Sequence, residues 1–165
     1  MSDLIDATGP GGLPPMVGAV NGDKIAWKAI SGINYELLGY FLSCHLIIEH
    51  YLDEFLKARH PGLTWEGAKL TFGQRTALLG DLGLPPQFDC LPAIKHMNSL
   101  RNKLSHRLDF TIDCEALLPM VHYLQKIIDK PEQMPVEPVA ILEMFTSLVC
   151  STFAGNISRM YRGVA

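Results

Sequence analysis

The sequence predicts an all-α fold: an irregular bundle of about five helices, preceded by a flexible Gly/Pro-rich N-terminal arm. Apolar residues recur at spacings of three and four in several long runs, the period of a helix with one buried face. No run alternates apolar and polar residues over a convincing strand length. No internal repeat appears at a period of about 20–50 residues, so the helices close on one another rather than stack as a solenoid. With 165 residues the chain suits one domain, large enough to bury roughly two-thirds of its unfolded surface.

The expected domain organisation is an arm over residues 1–22 and a single helical domain over residues 23–165. Gly9-Pro10-Gly11-Gly12, Pro14-Pro15 and Asn21-Gly22 forbid a long helix in the arm. A phosphate loop is not read there, because Gly9–Gly12 lacks a preceding strand and a following Gly-Lys-Ser/Thr. A short helical turn is expected over Asp23–Ile30. Asn34 then sits as a helix cap, with Glu36 in the first turn to meet the positive end of the helix dipole. Leu37, Phe41, Cys44, Ile48, Tyr51 or Leu52, and Phe55 form the apolar stripe of a helix running to about Ala58, ended by His60-Pro61-Gly62.

Leu63–Leu70 connects. Phe72–Leu82 reads as the next helix, stopped by Gly83 with Pro85-Pro86 behind it. Leu91–His106 follows, with Pro92 tolerated in its first turn. Ile112–Ile128 comes next with Asp113 as cap, and Pro119 either kinks it or marks its true start. Val139–Tyr161 is the last long helix. Met97, Met120, Met144 and Met160 fit core positions on these helices.

Composition narrows the function classes. Hydrophobic residues make up 48% and charged residues 19%, which excludes the apolar-poor signature of disorder. The apolar stretch Ile141–Ile157 is broken by Glu143, Thr146, Ser147 and Asn156, so it reads as a buried helix rather than a membrane span of about 20 apolar residues. The N-terminus lacks a basic region followed by an apolar one, so a cytoplasmic location without membrane association is expected. Cys44, Cys90, Cys114 and Cys150 have no paired spacing and read as buried thiols, neither a zinc site nor a redox pair. His45 and His50 are five apart and do not share a helix face as metal ligands would. No metal and no cofactor is expected. Glu49 interrupts the apolar run beside Ile48, and Arg101 or Arg75 is its candidate partner.

The net charge of -3 argues against indiscriminate nucleic-acid binding, which needs a basic surface. Its distribution is uneven, however. Lys95, His96, Arg101, Lys103, His106 and Arg107 crowd into one segment with no Asp or Glu. On a helical projection at about 100° per residue, Ala93, Ile94, Met97, Leu100, Leu104 and Leu108 form the core-facing arc. His106 falls nearly opposite, Asn102 shares its face at i, i+4, and Arg101 lies at the arc's margin. An imidazole titrates near neutrality and can take the proton from a ribose 2'-hydroxyl. A guanidinium can grip phosphate oxygens as negative charge builds in the transition state. A single His serves only one of the two proton transfers, so a symmetric partner would bring the other.

Arg101-Asn102-Lys103-Leu104-Ser105-His106 resembles the Arg-x4-6-His motif, with Asn after the Arg, of the HEPN superfamily. That resemblance implies a helical bundle carrying the motif on a late helix, with two copies meeting in a homodimer. It also implies a metal-independent endoribonuclease of toxin or defence type. Arg101, His106 and Asn102 become the candidate catalytic residues, with Asn102 in a positioning role, and Lys95, Lys103 and Arg107 the candidate RNA contacts. Leu46–Leu56, Leu70–Arg75 and Leu82-Gly83-Leu84 look like the mannitol operon repressor branch, which implies a non-catalytic regulator or adaptor as the alternative. The partners implied are a second copy, RNA, and an antitoxin or regulatory protein. Two plainer readings stand beside these. Arg101 pairs with Glu49 or Asp53, Asn102 and Ser105 bond a neighbouring helix and His106 caps its own helix; or the Val139–Tyr161 helix makes the chain a protein-binding and assembly module.

Overall fold

The computed structural model describes residues 14–80, 82, 85–107 and 110–163. Among these the chain is helical apart from one hairpin, in the order β1 (Met16–Asn21), β2 (Lys24–Lys28), α1 (Tyr35–Arg59), α2 (Phe72–Leu79), α3 (Leu91–His106), α4 (Leu118–Gln125) and α5 (Pro138–Tyr161). Single 3-10 turns lie at Pro86–Phe88 and Pro131–Gln133. The all-α class holds.

The core is built on the two longest helices. Asn34 caps α1 as its spacing predicts, its Oδ1 accepting from Leu37 N at 2.9 Å. Leu37, Phe41, Cys44, Ile48, Leu52 and Phe55 are all buried, as the stripe requires. They pack against Ile141, Leu142, Phe145, Val149 and Phe153 of α5. Cys44 lies beside Thr146, and the Phe55 ring meets Phe153 edge-on with centroids 5.2 Å apart. The two long helices therefore run in the same sense. Helix α5 is long and apolar enough by composition to cross a membrane, and a third of the tested window, 33%, is buried inside the fold. Helices α2, α3 and α4 close the remaining sides with Phe72 and Leu79, Ile94, Met97 and Leu100, and Met120 and Leu124.

Local chemistry moves several boundaries. Residues 16–28, read as the end of the arm and a helical turn, form an antiparallel hairpin with Val20 opposite Ile25 and Asn21 opposite Lys24. Gly22 opens its two-residue loop at φ +61°, a conformation that suits a hairpin and costs glycine nothing. A bulge between Val17 and Ala19 interrupts the alternation, which is why no strand pattern is visible in the sequence. A Cβ at Gly18, inside that bulge, would stand 3.0 Å from the Ala26 carbonyl oxygen.

Helix α2 ends at Leu79, before the predicted Leu82, because Gly80 turns the chain at φ +58°. Arg59 Nη1 donates to the Leu79 carbonyl at 2.9 Å and tethers that end to α1. Helix α3 matches its predicted limits, Leu91–His106. Pro119 is a true start: α4 begins at Leu118, and Asp113 accepts from Ala116 N at 2.8 Å in the turn before it. Cys44, Cys90 and Cys150 are buried as predicted, whereas Cys114 is exposed on that same turn. The Gly/Pro-rich part of the arm up to residue 13, the predicted stop at Gly83 and the core position Leu108 lie outside the described residues.

Candidate functional site

Helix α3 roots itself by Leu91, Ala93, Ile94, Met97 and Leu100, all buried. This fixes which of its residues face outward. Arg101, Asn102, Lys103, His106 and Arg107 are exposed, as the helical projection requires. Ser105 spends its hydroxyl on the Arg101 carbonyl of its own helix, at 3.0 Å. His96, part of the basic segment, is half-buried and bonds the Ala116 carbonyl oxygen through Nε2 at 2.8 Å. It belongs to the α3–α4 junction and not to the outer face.

The outward residues do not all share one concavity. Lys95, Asn98, Ser99, Asn102, Lys103, His106 and Arg107 line an open groove along the outer flank of α3. Among the described residues its wall carries three cations and one imidazole and no carboxylate. Lys103 Nζ lies 5.7 Å from the Phe110 ring centroid, a cation–π distance that props its side chain.

Arg101 instead lines a recess on the inner flank, about 480 Å³ in volume, with His45, Glu49, Thr71, Phe72, Gly73, Asn98 and Asn102. Asn98 and Asn102 border both concavities and form the divide between them. The motif is thus split by its own asparagine: His106 on one side, Arg101 on the other.

The inner recess is held from three elements. Arg75 bridges α2 to α1, with Nη1 2.8 Å from Glu49 Oε1 and Nε 3.1 Å from Asp53 Oδ1. It also donates to the Leu70 carbonyl just ahead of α2. Arg75 is therefore the partner of Glu49, and Arg101 makes neither a Glu49 nor an Asp53 pair. Burial pushes the Asp53 carboxyl up, but hydrogen bonds and charge from Lys57 and Arg75 outweigh it and hold Asp53 below its usual range.

Thr71 caps α2 in a reciprocal box: Gln74 N donates to Thr71 Oγ1 at 3.2 Å, and Thr71 N donates to Gln74 Oε1 at 2.8 Å. His45 stacks on Phe72 with ring centroids 4.3 Å apart. Burial pushes its imidazole down from the ordinary value of 6.5, with Arg101 acting the same way and Asn98 and Glu49 opposing. It is 4% exposed, and its Nε2 has no hydrogen-bond partner. The buried thiols lie apart from both concavities, and burial raises Cys90 to about 12 and Cys150 to about 11, which suits inert core groups.

His45, Asn98 and Thr71 were not among the residues the motif singles out. The Thr-x-x-Gln box is written in the sequence. The role of His45 is not, because it depends on how three helices meet. Comparison with protein-family models, with curated proteins and with solved structures gives no match for the chain. The functional reading therefore rests on the residues and their geometry.

Proposed function

We propose that the chain is a HEPN-like, metal-independent endoribonuclease that acts as a homodimer. The observation that carries this reading is the cationic outer groove of α3, where His106 stands with Lys95, Lys103, Arg107 and Asn102. A concentration of cations is what a phosphate backbone requires. Within that setting His106 takes or returns the proton of a 2'-hydroxyl and Asn102 positions the sugar–phosphate. Arg101, reaching over the Asn98–Asn102 divide, stabilises the charge on phosphorus. A second copy across a two-fold axis supplies the other imidazole.

The test is incubation of purified protein with total RNA in the presence of chelator. Cleavage is expected from the wild type, and His106→Ala and Arg101→Ala, folded by circular dichroism, should each lose about 100-fold or more. Cleavage unchanged in both variants overturns the assignment.

One observation favours a second reading. Arg101 and His106 line different concavities, an arrangement that also suits a non-catalytic regulator or adaptor of the mannitol operon repressor type. That reading predicts RNA or partner binding without cleavage, and loss of binding when Lys95 and Lys103 are reversed in charge. The assembly-module reading draws less support, since α5 spends its most apolar residues on packing within its own fold.

A further inference from the structure

The inner recess is a formed cavity whose hydrogen-bonding groups are largely unspent. The Arg101 guanidinium makes no hydrogen bond or ion pair among the described residues. The Phe72 and Gly73 N–H groups open the first turn of α2 and have no acceptor there, as the first amides of any helix lack an intrahelical partner. Asn98 and Asn102 both line the recess, and Asn98 reaches the His45 side chain with a hydrogen bond.

The decisive group is His45. It is 4% exposed, its Nε2 is unpartnered, and the groups acting on its charge, Asn98, Glu49 and Arg101, all line this recess. A buried polar atom left without a partner costs stability, and a ligand that bonds it would recover that cost.

The inventory is rich in donors: a guanidinium and two helix-end amides that can only donate, beside two carboxamides and an imidazole that can each donate or accept. That excess, set at the positive end of α2, selects an oxyanion. The acid on the wall, Glu49, is already neutralised by Arg75 at 2.8 Å, and its remaining lone pairs accept from neutral hydroxyls. A bare phosphate would leave most of about 480 Å³ empty, whereas ligand sites of that size close around small organic molecules.

We infer that this recess is a binding site, complete within one protomer, for the phosphate ester of a hydroxyl-bearing sugar. Arg101, His45 and the first-turn amides of α2 hold the phosphate, and Glu49 and Asn98 take the sugar hydroxyls. The site does not depend on cleavage, on His106 or on a second copy.

The same chemistry could arrive as a free sugar phosphate or as one unit of an RNA chain, and titration followed by amide NMR separates these. The probes are ribose 5-phosphate, inorganic phosphate and a hexaribonucleotide. Saturable movement of the Phe72 and Gly73 amides and the His45 imidazole with ribose 5-phosphate supports the free ester. The same movement with the hexaribonucleotide alone supports the chain-borne one.

Inorganic phosphate should move the same amides more weakly. Arg101→Ala and Asn98→Asp should each weaken binding by about tenfold or more. No movement at Phe72 and Gly73 with any probe overturns the inference, as does undiminished binding by folded Arg101→Ala. Failure of RNA cleavage with binding intact sinks the nuclease reading alone.

Discussion

On the inner flank of α3, polar groups from α1, α2 and α3 are braced before any ligand arrives. Arg75 ties Glu49, Asp53 and the approach to α2 together, the Thr71–Gln74 box sets the first turn, and Phe72 holds the His45 ring. On the outer flank, Lys95, Asn102, Lys103 and His106 project from one helix into an open groove, with the Phe110 ring as a prop for Lys103. The braced side is suited to discriminating a small ligand, because its groups are oriented by neighbours that have little freedom to move. The open side is suited to a charged polymer, where position along a backbone matters less than the number of cations supplied.

That contrast can be broken at its root. Leu100 is 1% exposed and lies immediately before Arg101 on the buried side of the helix. Leu100→Ala should cost about 3 kcal/mol in chemical denaturation and should weaken ligand binding on both flanks together. Loss confined to one flank would show that α3 is not their common support.

A narrower perturbation is Arg75→Ala. The Arg75 side chain is 15% exposed and its two carboxylate partners 27% and 28%, so its removal leaves Glu49 unpaired and Asp53 with Lys57 alone. A loss of about 2 kcal/mol is expected, together with loss of sugar-phosphate binding but not of RNA affinity at the outer groove. Equal loss of both would erase the distinction.

pH sharpens the comparison further. His45 titrates below 6.5 in the folded protein, so between that folded value and 6.5 the unfolded chain binds the extra proton. Stability should therefore be full above pH 6.5 and fall as pH is lowered through this window. Asp53, held below its ordinary 3.8, keeps its contribution above that value and loses it as pH falls through the folded one. The unfolding midpoint should thus show an upper step that disappears in His45→Gln and a lower step that remains. A single step confined below pH 3.8 in the wild type would remove His45 from the account.

The smallest effect belongs to the outer groove. Lys103→Ala should leave the unfolding midpoint unchanged while reducing the slope of log affinity for single-stranded RNA against log salt by about 0.7. An unchanged slope would mean that Lys103 meets no phosphate.

Helix α3 was legible in the sequence to its last residue, since Pro92 marks its first turn and its apolar stripe is unbroken from Leu91 to Leu100. The outward placement of Asn102 and His106 follows from the same stripe. The hairpin was not legible, because Gly18 and its bulge break the alternation of β1 after two paired residues. The end of α2 was misplaced because Gly80 and Gly83 carry the same stop signal and only the left-handed turn at Gly80 decides between them. Cys114 lies in the turn before α4, which begins at Leu118 and not at Ile112. The inner recess is the part that no linear reading reaches: His45 and Arg101 are far apart in the chain, and their common cavity exists only once α1 and α3 are packed.

The shared wall has a consequence of its own. A carboxamide carries an acceptor at one end and donors at the other, and Asn98 and Asn102 each face both concavities. A ligand in the recess that draws their NH2 groups inward presents carbonyl oxygens to the groove, and one that draws the carbonyls inward presents donors. Two amides turned end for end would carry the state of one compartment to the other across a single helical turn, with the backbone standing still.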